Sequence, residues 1–192
     1  MPDPADNVAP VTEIAAQLAA RLEGIGCEYA FGGAIALGYW TEPRGTIDVD
    51  VTLYLSVEET RQTIEVLRKV GADFAEAATN ESLAQHGFCR VEFLNRRLDV
   101  FLPIATIYEA AKPRRRRVEM GAGQAYIWDA ETLCVFKMMF FRRKDLVDVQ
   151  SLLRSQGDLF DREWVEKSLL ELYGQRDPRI NQWRELVAEV QG

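Results

Sequence analysis

Residues 44–55 read RGTIDVDVTLYL, and from position 47 onward apolar and polar side chains alternate. A period of two places the apolar residues on one face of a β-strand and the polar residues on the other. Asp48 and Asp50 therefore project together from the face opposite the apolar one, roughly 6–7 Å apart. The pattern predicts a strand over residues 47–55 that carries a pair of carboxylates.

A third carboxylate lies on a strand that we expect to be a neighbour. Residues 88–94 and 97–102 read as two strands joined near Asn95 and Arg96, which predicts a hairpin. Asp99 stands between apolar residues and so faces away from the core as well. Three carboxylates on one sheet surface repel each other unless cations intervene, and an all-oxygen ligand set suits Mg²⁺ or Mn²⁺ better than zinc. Two such ions, roughly 4 Å apart, would hold the attacking and leaving oxygens of a phosphoryl displacement.

A glycine pair, Gly32 and Gly33, separates a short strand candidate at residues 27–31 from a brief helix at 34–40. Glycines at such a turn let backbone N–H groups approach a phosphate, and the helix N-terminus favours an anion. Asp48 follows Gly33 by fifteen residues, enough for the chain to return beside the turn. Alone, the Asp-x-Asp pair is typical of a solvated face and the glycine pair of a tight turn. Their combination favours a phosphate site.

Helical patterns flank the strands and dominate the rest of the chain. One helix begins near Thr12, and a second is expected to run to about Val70 from Ser56 and Glu59, which have the spacing of a capping box. After Pro103 the pattern changes to helices. These are predicted at residues 130–142 with Asp129 as N-cap, at residues 145–154, and from about Asp161 and Arg179.

The sequence thus predicts an α+β fold, with a mixed sheet and flanking helices followed by a helical C-terminal half. We assign residues 1–128 to the core and 129–192 to the helical region. Because no linker separates them, one compact unit containing both is left open.

Composition excludes several classes of protein. The 192 residues are 47% hydrophobic and 28% charged, which is typical of a globular chain. Three scattered cysteines without a C-x-x-C pair predict neither a disulfide framework nor a structural zinc site, and the single histidine, His86, is expected at the surface. Neither a membrane span nor a signal peptide is predicted, so we expect a cytoplasmic protein. A formal net charge of −7 argues against nonspecific binding of nucleic acid, except at the basic run of residues 114–117.

Three segments of the chain together resemble the DNA polymerase beta-type nucleotidyltransferase superfamily. They are Phe31-Gly32-Gly33, residues 44–50 and Leu98-Asp99-Val100. The pattern of that superfamily is a hydrophobic residue before Gly-Gly or Gly-Ser, then Asp-x-Asp, then a carboxylate on a later strand. Gly33 stands where many members have serine. A second motif is similar to one stand-alone bacterial branch of the superfamily, which contains AbiEii-type and MenT-type toxins. The stretch of that branch reads Lys…Arg-x-Lys-Asp-x-x-Asp-x-x-x-Leu, and it is matched here by Lys137, residues 142–148 and Leu152.

The resemblance implies a nucleotidyltransferase-type sheet and a metal-dependent enzyme. Such an enzyme moves an NMP from an NTP to an acceptor and releases pyrophosphate, with two Mg²⁺ or Mn²⁺ ions. Asp48 and Asp50 would bind the metals that hold the triphosphate, and Asp99 would bind the second metal and help to deprotonate the acceptor hydroxyl. The residues implied in phosphate binding are Gly32, Gly33, Arg44, Thr46 and Lys137, with Lys144 and Asp145 as further candidates.

Two of these assignments have alternatives of equal weight. Lys137 is either a phosphate ligand or a lysine that snorkels from a core helix. The run Arg114, Arg115, Arg116 and Arg117 either contacts an RNA backbone or is a solvated loop. For Asp148, we expect a mainly structural role.

The acceptor also stays open. RNA, tRNA or a protein would fit a toxin-like enzyme with a cognate antitoxin, whereas a small molecule would fit an enzyme of the antibiotic-adenylylating kind. A non-catalytic domain that binds a nucleotide or a partner is a further alternative, and the intact carboxylates argue against it.

Overall fold

The computed structural model describes residues 10–43 and 45–191. The strands within these residues are β1 (Tyr29–Phe31), β2 (Val49–Leu53), β3 (Phe88–Phe93), β4 (Arg96–Phe101), β5 (Arg116–Met120) and β6 (Gly123–Ile127). The helices are α1 (Val11–Gly24), α2 (Gly33–Trp40), α3 (Thr60–Val70), α4 (Glu76–His86), α5 (Ile107–Ala111), α6 (Ala130–Phe140), α7 (Arg143–Gln156), α8 (Arg162–Tyr173) and α9 (Pro178–Gln191).

The strands form a single mixed sheet in the order β3-β4-β2-β1-β6-β5. β2 is parallel to β4 and β1 to β6, whereas the other neighbouring strands are antiparallel. The β3–β4 hairpin is present as predicted, and its turn residues Leu94 and Asn95 have φ angles of 51° and 60°. Two successive left-handed residues match the right-handed twist of the flanking strands, which explains the tight connection.

The chain divides into two compact units, and the first contains the whole sheet. It comprises the described residues up to 35 together with residues 45–105 and 116–127. In this unit α1 packs against β5 and β6, and α4 packs against β3. The apolar face of the central strands is fully covered, since Val49, Val51, Leu98 and Val100 are at most 1% exposed. Burial of this face leaves the alternate, polar positions of β2 and β4 on the other side of the sheet.

The second unit is helical and comprises residues 36–43, 106–115 and 128–191. In it α6 packs against α7 and α8, and α9 packs against the same two helices. Asp129 caps α6 as predicted, because its Oδ1 accepts a hydrogen bond of 3.0 Å from the Thr132 N–H. The structure therefore confirms the α+β fold with a helical C-terminal half.

Three local predictions were wrong. The first is the all-helical pattern after Pro103, because residues 116–127 form the β5–β6 hairpin. Its turn contains Gly121 at φ +55°, a conformation that favours glycine. The alternation of apolar and polar residues in this hairpin is hard to recognise in the sequence, because β5 begins with two arginines.

The other two concern the ends of elements. Ser56 Oγ accepts a hydrogen bond of 3.0 Å from the Glu58 N–H and so forms a turn before the helix, which begins only at Thr60. β2 begins at Val49, where its pairing with β4 begins, and Ile47 ahead of it is 67% exposed. Among the described residues, no helix is long and apolar enough to cross a membrane.

Candidate active site

Asp50 and Asp99 lie side by side on one face of the sheet. They are register partners in the parallel pair of β2 and β4, and partners in register project to the same side. Asp48 is two residues before Asp50, just ahead of the strand, and is contacted by the same arginine as Asp99. We call Asp48, Asp50 and Asp99 the acidic face. Sequence alternation predicted that the three side chains turn away from the core, whereas the pairing of β2 with β4 comes from the tertiary fold.

The glycine turn lies directly beside the acidic face. The Gly32 N–H donates a hydrogen bond of 2.9 Å to the carbonyl of Asp50. Gly33 begins α2 with φ +55°, and a Cβ built on it would lie 1.8 Å from Oδ2 of Asp50. Residue 33 is therefore glycine, where many members of the superfamily have serine, for a steric reason: the Asp50 carboxylate fills the space that a side chain would need.

This close approach predicts the effect of a small substitution. Gly33→Ala is expected to lower the free energy of unfolding by about 1–3 kcal/mol, because alanine is strained at positive φ and its methyl group displaces Asp50. Chemical denaturation measures the change. Gly24→Ala is the matched control, since a Cβ there has no atom within 4 Å and its φ lies outside the left-handed range. Equal stability of Gly33→Ala and the wild type would contradict the argument.

Two arginines that the sequence analysis missed hold the acidic face. Arg90 binds Asp99 through both ends of its guanidinium, with Nε 2.7 Å from Oδ1 and Nη2 3.1 Å from Oδ2. Arg97 donates from Nη2 to Oδ2 of Asp48, and its Nε lies 3.7 Å from Oδ1 of Asp99. The hydrogen bond to Asp99 and the charge of that carboxylate raise the pKa of Arg90.

A signal for these arginines was present in the sequence. Arg90 is the register partner of Asp99 across the β3–β4 hairpin, and Arg97 is two residues before Asp99 on the same strand. Alternation places both arginines on the same face as Asp99, but the pairing of Arg90 with Asp99 follows only from the observed turn at Leu94 and Asn95, one residue before the predicted turn.

The residues that lead into β2 were expected to contact phosphate. In the structure the Thr46 hydroxyl organises the segment, since its Oγ1 lies 3.3 Å from both the N–H and the carbonyl oxygen of Asp48. Arg44 lies outside the described residues.

Lys137 lies in a buried charged cluster of the helical unit. Its Nζ is 2.7 Å from Oδ2 of Asp148 and 3.7 Å from Oδ1 of Asp145, and both aspartates are buried. Asp145 also accepts hydrogen bonds from the side chain and the backbone N–H of Arg142, at 2.6–3.1 Å. Lys144 is exposed.

The titration of Asp145 reflects this pairing. Burial alone raises the pKa of the carboxyl, but the hydrogen bonds from Arg142 and the charges of Arg142 and Lys137 outweigh it, so the net pKa is lowered. A carboxyl whose pKa is lower in the folded than in the unfolded chain stabilises the fold above its ordinary pKa. We expect that contribution to disappear as the pH falls through the folded-state pKa.

The arginine run does not present four equivalent guanidinium groups. Arg114 forms an ion pair of 2.7 Å with Asp129 and stacks 4.2 Å over the ring of Trp164. Arg117 lies 3.6 Å from Glu23 and over Tyr126. Arg116 and Arg117 are consecutive residues of β5 and therefore point to opposite faces.

The donor chemistry of the acidic face fits a divalent cation. Three carboxylates offer only oxygen ligands, the set that Mg²⁺ and Mn²⁺ prefer. Within residues 10–43 and 45–191, no three acidic, histidine or cysteine side chains are grouped as a ready metal site. Asp99 is paired with Arg90, and Asp48 with Arg97.

Comparison with solved structures identifies the fold. The chain is similar to the antibiotic-resistance factor ANT(2'')-Ia in its solution structure, with a TM-score of 0.54 and 10% sequence identity, over 94% of this chain and 95% of that one. The crystal structure of ANT(2'')-Ia in complex with adenylyl-2''-tobramycin gives a TM-score of 0.56 and 15% identity, over 91% of this chain and 97% of that one. The fold is that of a nucleotidyltransferase. No protein-family model and no curated protein sequence matches the chain.

Proposed function

We propose that this protein is a metal-dependent nucleotidyltransferase that moves an NMP from an NTP to an acceptor hydroxyl and releases pyrophosphate. The observation that carries the proposal is the register of Asp50 with Asp99, beside the turn at Gly32 and Gly33. Carboxylates beside a helix N-terminus are what a metal-bound triphosphate needs. The nucleotidyltransferase fold agrees with this reading, and we expect the protein to act in the cytoplasm, where NTPs are supplied.

In this proposal the acidic face has two tasks. Asp48, Asp50 and Asp99 would hold two Mg²⁺ or Mn²⁺ ions, which supply positive charge for the phosphates and for the leaving pyrophosphate. Asp99 would accept the proton of the acceptor hydroxyl. The acceptor oxygen then forms a bond to the α-phosphorus, and the bond from that phosphorus to the bridging oxygen of the pyrophosphate breaks.

The remaining residues would bind and orient the nucleotide. Gly33 begins α2 and Gly32 lies just ahead of it, and the N–H groups at a helix N-terminus favour the negative charge of a phosphate. Arg44 and Thr46, just ahead of β2, and Lys137 are proposed phosphate contacts on the basis of the motif, with Lys144 and Asp145 as weaker candidates. For Lys137 a phosphate would have to compete with Asp148.

Two acceptor classes remain in the proposal. RNA, tRNA or a protein would fit the toxin-like branch, with an antitoxin as a partner. A small hydroxyl-bearing molecule is favoured by a specific observation, since Arg114 and Arg117 pair within the chain and do not form a continuous basic track for an RNA backbone. The complex of the similar ANT(2'')-Ia with adenylyl-2''-tobramycin is in line with the second class.

The test is transfer of labelled NMP from each of the four NTPs to total RNA, total protein and a panel of polyhydroxylated small molecules. We expect a labelled product and an equal amount of pyrophosphate with Mg²⁺ or Mn²⁺, and neither with chelator. Label in RNA or protein supports the toxin-like reading, and label in a small molecule supports the alternative. Lack of both label and pyrophosphate with every acceptor would overturn the proposal.

A further inference from the structure

The guanidinium groups of Arg90 and Arg97 occupy the oxygens that a metal would use. Oδ1 of Asp99 lies 2.7 Å from Nε of Arg90 and 3.7 Å from Nε of Arg97, and its Oδ2 lies 3.1 Å from Nη2 of Arg90. Arg97 also binds Oδ2 of Asp48. A divalent cation takes carboxylate oxygens at about 2.0–2.1 Å, so a guanidinium on the same oxygens competes with it both for space and by charge repulsion.

The arginines lie on the solvent side of these pairs. The side chains of Arg90 and Arg97 are 54% and 44% exposed, whereas those of Asp99 and Asp48 are 11% and 25% exposed. Long, exposed arginine side chains can leave the carboxylates by rotation about their own bonds, without a change in the backbone. The pairing is therefore removable, while the carboxylates keep their places on the sheet.

A groove beside the acidic face can receive the released side chains. It has a volume of about 490 Å³, and its lining includes Arg90, Arg97, Asp73 and Glu92. Glu92 is the register partner of Arg97 across the β3–β4 hairpin, and opposite charges at such positions attract. Arg97 thus has a second acidic partner within reach of a side-chain rotation.

We propose that Arg90 and Arg97 form a guanidinium lock on the acidic face. The lock holds Asp48 and Asp99 together when no metal is bound, and it has to open before a divalent cation binds. A released guanidinium beside the face is a suitable partner for an anionic triphosphate, so nucleotide and metal should favour binding of each other. This inference rests on the proposed function, because it takes the acidic face to be a metal site.

The test measures Mn²⁺ binding to the protein by calorimetry, without nucleotide. Arg97→Gln and Arg90→Gln are each expected to bind Mn²⁺ about tenfold more tightly than the wild type, because an ion pair no longer has to be broken. Arg68→Gln is the matched control. It also removes one positive charge and an ion pair, here with Glu76 on the helices α3 and α4, and should leave the affinity unchanged.

A second readout does not depend on affinity alone. Without metal, Arg97→Gln should melt at a lower temperature than the wild type, since Asp48 loses the charge of Arg97 and Asp99 keeps only that of Arg90. Mn²⁺ should remove this difference in melting temperature. Should Arg97→Gln fail to fold, Arg97→Lys keeps one charge without the two-ended geometry and is expected to show an intermediate gain in Mn²⁺ affinity.

The outcomes separate this inference from the proposed function. Wild-type binding of Mn²⁺ with no tighter binding in the Arg90 and Arg97 variants would overturn the lock alone. No Mn²⁺ binding by the wild type or by any variant would overturn both the lock and the metal-dependent function.

Discussion

Asp50→Asn is expected to reduce NMP transfer roughly 100- to 1000-fold while leaving the fold intact. Asparagine has nearly the shape of aspartate, so the contact with Gly33 and the hydrogen bond from the Gly32 N–H to the backbone of residue 50 are kept. What is lost is one negative charge from the acidic face. A charge that is fixed in place to hold the reacting phosphates contributes most in the transition state, and its removal typically costs this much in rate.

The assay measures the initial rate of NMP transfer at saturating NTP through the release of pyrophosphate. Circular dichroism checks that the variant is folded. Asp158→Asn is the matched control, because Asp158 is an exposed carboxylate of the helical unit. It should transfer at the wild-type rate. A folded Asp50→Asn protein with more than a third of wild-type activity would rule out the acidic face as the catalytic site.

The acidic face could be predicted from sequence because alternation depends only on local geometry. Once residues 47–55 are predicted to form a strand, the common side of Asp48 and Asp50 follows, and alternation within the predicted strand 97–102 turns Asp99 away from the core in the same way. The parallel pairing that puts Asp99 beside Asp50 required the tertiary fold, and here the resemblance to a known pattern supplied what local rules lack.

The arginines show the limit of reading residues by type. Isolated arginines on a strand are common on solvated faces, yet the register sets both Arg90 and Arg97 beside Asp99. The run at residues 114–117 is far more conspicuous in sequence. Two of its members form ion pairs within the chain, and a strand periodicity of two separates neighbours that are adjacent in sequence.

Lys137→Met is expected to lower the free energy of unfolding by about 3 kcal/mol, because it removes the ammonium group that pairs with a buried carboxylate. The side chain of Asp148 is only 6% exposed, and its Oδ2 lies 2.7 Å from Nζ of Lys137. Denaturant unfolding at neutral pH measures the loss. Lys167→Met is the matched control, since Lys167 and Glu171 form an exposed i,i+4 pair at 3.9 Å that should contribute less than about 0.5 kcal/mol.

The double variant Lys137→Met/Asp148→Asn tests the cause and separates the two roles considered for Lys137. Removing the charge of residue 148 as well should restore most of the lost stability, because a neutral amide is far less costly to bury than a carboxylate that has lost its ammonium group. A stable double variant that transfers NMP at the wild-type rate would mean that Lys137 is a structural partner of Asp148. A stable double variant with transfer reduced about 100-fold would mean that its charge also serves the phosphates. Unchanged stability of Lys137→Met itself would contradict the buried ion pair on which both readings depend.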